Sequence, residues 1–410
     1  MSHDDLTNTL SRELGERAGA MEGSTLHLAD VKGRARSIRR RRTATAVVGA
    51  VAAVGLIVPT AALATHSNGK PEPAPVTQTP SPSDTATADG GQPAPGVLDV
   101  SELPAGQAPH LDYLSDGRLH FTDGTAGDVR TRYTPDQFVE MEDGSRVWRT
   151  SDENGRAYVE IQDTDGTFHD PVRSDYGLSV NPSHSIVAWL TPAGQVVVWG
   201  ARASEPRPLG DPVPGNDLRL GPITGDDCSL ACTVVVNVHD GAGQPWEVDD
   251  SGSQPLLDGG YLNVNDDRGG LSIGLTEVTD SSTCSKLLGG GEFQGFATCR
   301  NQLTSFSPDG RLILALPSYF DGVGPGGIGM YDLDGKRLFE RSSTENAQSY
   351  FSEATWEDDT HVLAPTYQDG KWALVRIASD GSMEYAVPPA KGPYDRSPFV
   401  LPTGGGLPGA

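Results

Sequence analysis

The sequence predicts an all-β fold: a β-propeller of about seven four-stranded blades, preceded by a helical cytoplasmic segment and one transmembrane helix. Six or eight blades are the alternatives. Three observations predict the propeller, namely a turn-rich composition, a recurring Asp-Gly turn and a regular spacing of apolar segments. The 410 residues include 50 Gly and 31 Pro, and such a composition is typical of many short strands joined by turns.

Residues 1–42 are predicted to be a cytoplasmic amphipathic and basic helical segment. Apolar residues recur at spacings of three and four from Leu6 to Met21, and a helix of this length needs a partner for its apolar stripe. Two interpretations stay open. The helix binds a cytoplasmic protein, or the segment only fixes orientation against anionic lipid.

Residues 43–65 are predicted to be the transmembrane helix, because no charged residue occurs from Ala44 to Ala64 and about twenty apolar residues span a hydrocarbon core. Four arginines precede the span: Arg39, Arg40, Arg41 and Arg42. The positive-inside rule therefore predicts a single-pass protein of the cell membrane, with its N-terminus in the cytoplasm and the remainder outside. The alternative is a signal peptide cleaved after Ala64, although its charged region would be unusually long.

The part outside the membrane divides into a linker, a folded domain and a tail. Residues 66–96 are rich in Pro, Thr and Ser and predict a disordered linker. Residues 97–390 are assigned to the propeller and residues 391–410 to a flexible tail. Beyond residue 42 the chain holds 22 Lys or Arg against 49 Asp or Glu, a formal charge of −27. Such a surface repels nucleic acid and anionic lipid headgroups, so we expect no nucleic-acid partner.

All four cysteines lie in this outer part, where disulfides persist. They are Cys228, Cys232, Cys284 and Cys299. Four cysteines allow three pairings, and local closure favours Cys228 with Cys232 and Cys284 with Cys299. A zinc or redox site is the alternative, but the sequence has no Cys-x-x-Cys and no His at ligand spacing.

Turns with the pattern x-Asp-Gly-x or x-Ala-Gly-x recur along the propeller segment. Asp-Gly supplies the positive φ that a tight hairpin needs. The turns are Ser115–Arg118, Glu142–Ser145, Thr164–Thr167, Pro192–Gln195, Pro308–Arg311, Leu333–Lys336, Gln368–Lys371 and Ser379–Ser382. Each one predicts a reversal between two adjacent strands.

One internal repeat is explicit. Asn181–Trp189 matches Ser307–Ala315 at an offset of about 126 residues, or three units of 42. Apolar strand centres fall mostly 40 to 49 residues apart, which is the period of a four-stranded blade. These centres are Leu119, Val147, Val187, Val235, Ile273, Ile313 and Val362. The first interval is only about 28 residues, which predicts an incomplete first blade completed by a strand from the other terminus.

These residues carry a family resemblance. Phe306–Ala315, with Met330–Arg337 after it, resembles the WD40-like (TolB-type) β-propeller repeat, and Trp356–Leu363 with Trp372–Arg376 is similar to a degenerate final copy. The first 65 residues resemble those of actinobacterial single-pass membrane proteins with a propeller ectodomain. The resemblance implies an interaction platform, and that family has no assigned catalytic residues to transfer. True WD40 blades carry Gly-His and Trp-Asp signatures, which this chain lacks.

Several motifs match a functional pattern but fit a structural role better. Ser272 lies in a nucleophile-elbow pattern, yet β-like residues follow it where a helix is needed. Gly322–Gly327 fits a dinucleotide-binding spacing but contains Pro325. Asp163 and Asp332 begin calcium-loop-like sequences that lack the remaining ligands. The sequence therefore predicts no catalytic residue, no metal site and no cofactor. The six tryptophans are assigned to packing between blades, with a sugar-stacking platform as the alternative.

Three functions follow from these observations. The first is a non-catalytic extracytoplasmic module that binds a protein, peptide or cell-wall ligand. The second is an anti-sigma-like transmembrane regulator, in which residues 1–42 bind a cytoplasmic factor. The third is a propeller-type glycan hydrolase or lyase, which requires carboxylates to meet in the central channel; the candidates are the acid pairs Asp226-Asp227, Asp266-Asp267 and Asp358-Asp359.

Overall fold

The computed structural model describes residues 95–404 except 202, 240–242, 257–259, 280, 290–294, 321–323 and 346. Within these residues the chain forms thirty strands, arranged in seven sheets. Each sheet is a blade with a core of four antiparallel strands, so the predicted all-β propeller has seven blades. The described residues contain no helix long and apolar enough to cross a membrane. The predicted N-terminal helix, transmembrane helix and Arg39–Arg42 lie outside them.

Strands are given for each blade from the innermost outward. Blade 1 contains β30 (Phe399–Val400), β2 (Tyr113–Ser115), β3 (Arg118–His120) and β4 (Ala126–Asp128). Blade 2 contains β5 (Thr134–Glu140), β6 (Arg146–Ser151), β7 (Ala157–Gln162) and β8 (Val172–Ser174). Blade 3 contains β9 (Tyr176–Val180), β10 (Ile186–Leu190), β11 (Val196–Gly200) and β12 (Arg207–Leu209). Blade 4 contains β13 (Leu218–Asp227), β14 (Ala231–Val238), β15 (Trp246–Asp249) and β16 (Gly252–Pro255).

The remaining three blades follow the same order. Blade 5 contains β17 (Asn263–Arg268), β18 (Leu271–Val278), β19 (Thr283–Gly289) and β20 (Ala297–Thr298). Blade 6 contains β21 (Asn301–Phe306), β22 (Leu312–Pro317), β23 (Gly327–Asp332) and β24 (Arg337–Ser342), with β1 (Gly96–Val97) added outside. Blade 7 contains an inner strand in two pieces, β25 (Tyr350–Phe351) and β26 (Thr355–Trp356), then β27 (His361–Gln368), β28 (Lys371–Ala378) and β29 (Met383–Lys391).

The predicted closure by the other terminus is confirmed. Strand β30 from the C-terminal end pairs antiparallel with β2 and becomes the innermost strand of blade 1. The assignment to a flexible tail is therefore corrected for residues 391–404, because Phe399 and Leu401 are buried between blades 7 and 1. Leu119 also differs from the other strand centres, since it lies on the third strand of its blade and they lie on second strands. That shift contributes to the short first interval.

The predicted turns and repeat are found in the structure. The glycine has a φ between 73° and 86° in all eight predicted turns. The matched segments Asn181–Trp189 and Ser307–Ala315 both span the turn from the first to the second strand, in blades 3 and 6. Their 126-residue offset therefore corresponds to three blades.

The hydrophobic core consists of seven clusters, one between each pair of neighbouring blades. Because a blade is covered on both faces, a middle strand can be apolar along its whole length, as in β10, where all five residues are buried. Trp148, Trp189 and Trp372 are among the largest fully buried side chains. Packing between blades is therefore the role of these tryptophans.

Residues 96–112, here the N-terminal strap, run along blades 6 and 7 before blade 1 begins. Gly96 and Val97 pair in parallel with Arg341 and Ser342, although the sequence placed Gly96 in the linker. Leu98 and Val100 are buried in the core between blades 6 and 7. The strap therefore belongs to the folded domain.

The ring has two ends. The turns from first to second and from third to fourth strands lie at one end, here the turn face. The turns from second to third strands and the links between blades lie at the other end, here the connection face.

Candidate functional site

The structure pairs each cysteine with the one nearest to it in sequence, as predicted. Cys228 and Cys232 are joined (S–S 1.93 Å) and close the turn between β13 and β14, on the turn face. Cys284 and Cys299 are joined (S–S 2.00 Å) and connect the start of β19 to the link between blades 5 and 6. This second disulfide lies on the connection face.

The motifs that the sequence assigned to structural roles lie in strands and turns. Ser272 is within β18, and its hydroxyl donates a hydrogen bond to Asp267. The described part of Gly322–Gly327 belongs to the turn between β22 and β23. In the turn at Asp163, the Gly166 amide donates to the Asp163 carbonyl (2.9 Å), and the same contact joins Gly335 to Asp332 (3.1 Å). Among the described residues, no group of three His, Cys, Asp or Glu side chains is placed to hold a metal ion.

The acidic residues of the inner strands, and of the link within the inner strand of blade 7, include Asp136 in blade 2, Asp266 in blade 5 and Glu353 in blade 7. Asp136 pairs with Arg149 of its own blade (2.6 Å). Asp266 accepts the Phe306 amide (2.8 Å) and Glu353 accepts the Leu401 amide (2.9 Å). Burial raises the pKa of Asp266 to about 7 and that of Glu353 to about 8.

Each of these carboxylates thus contacts a protein partner in its own blade or the next. The other acids considered for catalysis lie on the turn face, Asp226 near the end of β13 and Asp358 in the turn before β27. Asp226 accepts a hydrogen bond from Ser183 (2.7 Å). Asp358 accepts bonds from the amides of Thr360 and His361 at 2.7 and 2.8 Å. All five therefore have structural partners.

The connection face carries most of the exposed apolar side chains. Eight large hydrophobic residues are exposed in the described part of the chain, and five of them lie on this face: Leu262, Val278, Tyr319, Phe320 and Tyr394. We call Val278, Tyr319, Phe320, Tyr350 and Tyr394 the aromatic arc; it extends over blades 5, 6 and 7. Exposed apolar groups gathered on one face are typical of an interaction surface.

The first half of the arc is fixed by contacts between blades 5 and 6. The amide and hydroxyl of Thr283 both donate to the Ser318 carbonyl, at 2.9 and 2.8 Å. The adjacent Cys284–Cys299 disulfide ties the start of β19 to the link between the same two blades. Tyr319 and Phe320, which follow Ser318 directly, are 52% and 39% exposed. The backbone that presents these two aromatic rings is therefore anchored to blade 5 by the hydrogen bonds from Thr283.

The second half is built on blade 7. The Phe351 amide donates to the Pro325 carbonyl (3.2 Å), which brings the loop after Phe320 against Tyr350. A side chain at Gly324 would lie only 2.2 Å from the Phe351 carbonyl oxygen, so this approach requires glycine. Tyr350 packs against Tyr367 and Trp372, with ring centroids 5.3 and 5.6 Å apart. The Trp372 indole donates to the Pro393 carbonyl (2.7 Å), next to Tyr394.

The arc is apolar and neutral except at its rim. Burial, followed by the nearby Tyr367, Asp395 and Tyr394, raises the pKa of Tyr350 to about 12. Its hydroxyl is therefore neutral at physiological pH, and it has no hydrogen-bond partner among the described residues. Glu277 and Asp395 lie at the two ends of the arc. Such a surface suits a partner with apolar side chains flanked by positive charges.

The turn face offers a different feature, an open cleft of about 430 Å³ between blades 2 and 3. Its lining includes Asp143, Asp163 and Asp165, together with Trp199. Hydrogen bonds from Thr167 lower the pKa of Asp165, which stays ionised. Trp199 itself is buried, so the cleft presents mainly polar, negatively charged surface.

The arc was not predicted from the sequence. One sequence feature could have indicated an exposed loop here. Two adjacent aromatic residues, Tyr319 and Phe320, interrupt the alternation expected of a strand and stand directly before Asp321 and Gly322. The sequence alone does not show that these loop residues lie on the same face of the ring as Tyr394, which is about 75 positions later.

Comparisons with known proteins show similarity in fold only. No family model matches the chain, and no curated protein matches it. Among solved structures, YCF48 bound to D1 peptide is 15% identical, with a TM-score of 0.44 over 69% of this chain and 88% of that one. The Cps50 (Swd1) β-propeller domain of Myceliophteria thermophila is 12% identical, with a TM-score of 0.44 over 65% and 89%. The β-propeller domain of the Trilobed protease from Pyrococcus furiosus, with an open velcro topology, is 11% identical, with a TM-score of 0.43 over 62% and 85%.

These likenesses assign no activity to this chain. The resemblance to the TolB-type repeat and to actinobacterial membrane proteins stays a prediction. The seven-bladed ring rests on the strand pairing described above.

Proposed function

We propose that this chain is a membrane-anchored extracytoplasmic propeller that binds a protein or peptide without catalysis, and that the aromatic arc is its binding surface. The observation that carries the proposal is that Val278, Tyr319, Phe320 and Tyr394 are all exposed on one face, with the backbone before Tyr319 bonded to blade 5 and the link before Tyr394 bonded to Trp372. Rigid aromatic side chains contribute large contact area at low entropic cost, and they are frequent hot spots.

The partner's chemistry follows from the same surface. An apolar arc needs aliphatic or aromatic side chains, and an outer part with a formal charge of −27 favours a basic partner. A protein or peptide meets both needs better than a neutral glycan does. The anti-sigma-like regulator remains a hypothesis about residues 1–42.

Peptide selection tests the arc directly. Random peptides displayed on phage are selected against the full-length protein in detergent, and the dissociation constants of enriched peptides are measured. For a Tyr319→Ser, Phe320→Ser double variant we expect binding to weaken at least about tenfold, as for the loss of a hot spot.

Val172→Ser is the matched control, because Val172 is as exposed as Phe320 (39%) but lies in blade 2. Equal affinity for the double variant and for the wild type would refute the arc as the binding surface. Failure to enrich any peptide would refute a peptide-binding role.

The membrane arrangement has its own test. A protease added to intact cells should cleave the linker before residue 95 and release the propeller, while residues 1–42 stay protected. Protection of the propeller in intact cells, with digestion only after lysis, would contradict the proposed topology.

A further inference from the structure

His184 has a backbone conformation that glycine adopts more readily. Its φ is 56°, and in the internal repeat it aligns with Gly310, whose φ is 73°. Only two other non-glycine residues have a positive φ in the described chain, Asp116 and Asp369, and each precedes the Gly of an Asp-Gly hairpin. His184 has no such sequence reason, and unusual backbone conformations are often kept for a contact they make possible.

The imidazole of His184 lies between two blades and the C-terminal segment. Its Nδ1 is 2.6 Å from the Glu140 carbonyl oxygen of blade 2. Its Nε2 lies 4.0 Å from the position of a Cβ built on Gly404, and Thr355 Oγ1 of blade 7 lies 3.6 Å from that position. Gly404 therefore passes between blade 3 and blade 7, which lie across the ring from each other.

The path of residues 401–404 agrees with a crossing of the ring. The Leu401 amide donates to Glu353 of blade 7 (2.9 Å). The Thr403 amide donates to the Phe138 carbonyl of blade 2 (2.7 Å). The segment thus leaves blade 1 at the turn face and contacts blades 7, 2 and 3 in succession.

We propose that residues 401–404 form a plug that closes the axial channel at the turn face, and that His184 is the positioning residue that holds it. A histidine here has less backbone freedom than a glycine, but its ring lies 2.6 Å from the Glu140 carbonyl oxygen and close to Gly404 of the plug. The channel then opens only at the connection face, where the aromatic arc lies.

Hydrogen exchange at the Thr403 amide tests the role of His184 in the full-length protein. His184→Gly removes the ring but suits the backbone, so we expect Thr403 to exchange about fivefold faster while global stability changes little. Asp369→Gly is the matched control, since it also relieves a positive φ (51°) but lies on the connection face. Unchanged exchange at Thr403, or an equal change in the control, would overturn the proposal.

A chain that ends at Leu401 provides a second measurement and keeps β30 intact. With residues 402–404 of the plug removed, diethyl pyrocarbonate should modify the imidazole of His184 about fivefold faster, whereas His361, at the start of β27 in blade 7, should react at an unchanged rate. An unchanged rate at His184 would show that residues 402–404 do not cover it, and would overturn the plug.

Discussion

Closure of the ring depends on the C-terminal strand, and Phe399→Ala is the substitution that tests it most sharply. Phe399 is only 5% exposed and belongs to the cluster between blades 7 and 1, with its ring centroid 6.2 Å from that of Tyr113. Truncating a buried Phe to Ala costs about 3–5 kcal/mol, because both transfer energy and packing are lost. That is a large fraction of the usual stability of a domain.

The assay is an equilibrium urea unfolding curve, monitored by tryptophan fluorescence. For a large domain with a urea dependence of roughly 3 kcal/mol per molar, the midpoint should fall by about 1–2 M. Tyr394→Ala is the control, because Tyr394 is an aromatic residue of the same blade link but is 59% exposed. It should change the unfolding free energy by less than about 0.5 kcal/mol. Equal effects of the two substitutions would refute closure by β30.

Three further predictions concern stability. Arg376→Ala should cost about 3–5 kcal/mol in urea unfolding, because it leaves the fully buried Glu357 side chain without its ion-pair partner; a loss below about 1 kcal/mol would contradict the buried pair. Replacing Cys284 and Cys299 with Ser should cost about 3 kcal/mol, the loop-closure value for 15 residues, and an unchanged midpoint would contradict it. Burial raises the pKa of Glu353 from 4.5 to about 8, so the folded protein binds this proton more tightly than the unfolded chain does. The free energy of unfolding should therefore fall by roughly 2–4 kcal/mol as pH rises from 4.5 to 8.5. Glu353→Gln should remove that part of the pH dependence, and an identical pH profile would contradict the assignment.

Much of the ring could be predicted because its signals are local and periodic. The Asp-Gly turns fix hairpins by backbone conformation alone, and the match of Asn181–Trp189 to Ser307–Ala315 gives the blade period directly. The short first interval correctly indicated a blade completed from the other terminus. Local closure likewise favoured the observed disulfide pairs, because each joins residues close in sequence.

The remaining features depend on contacts that periodicity does not encode. Strand β30 has two residues, and β1 has two, so neither shows a measurable alternation. Both are strands because other blades provide the pairing partners. The aromatic arc is a further example, since the exposure of Tyr319 and Tyr394 is set by the packing of blades 6 and 7 beneath them. His184 belongs to the internal repeat, but its positive φ becomes visible only in the structure.

Hydrogen exchange with and without a selected peptide tests the central claim most directly, namely that the connection face is the binding face. We predict slower exchange at residues 318–320 and 392–395 on peptide binding, with no change around Asp143 and Asp163–Thr167 on the turn face. Protection confined to the turn-face cleft, with the arc unchanged, would contradict the claim.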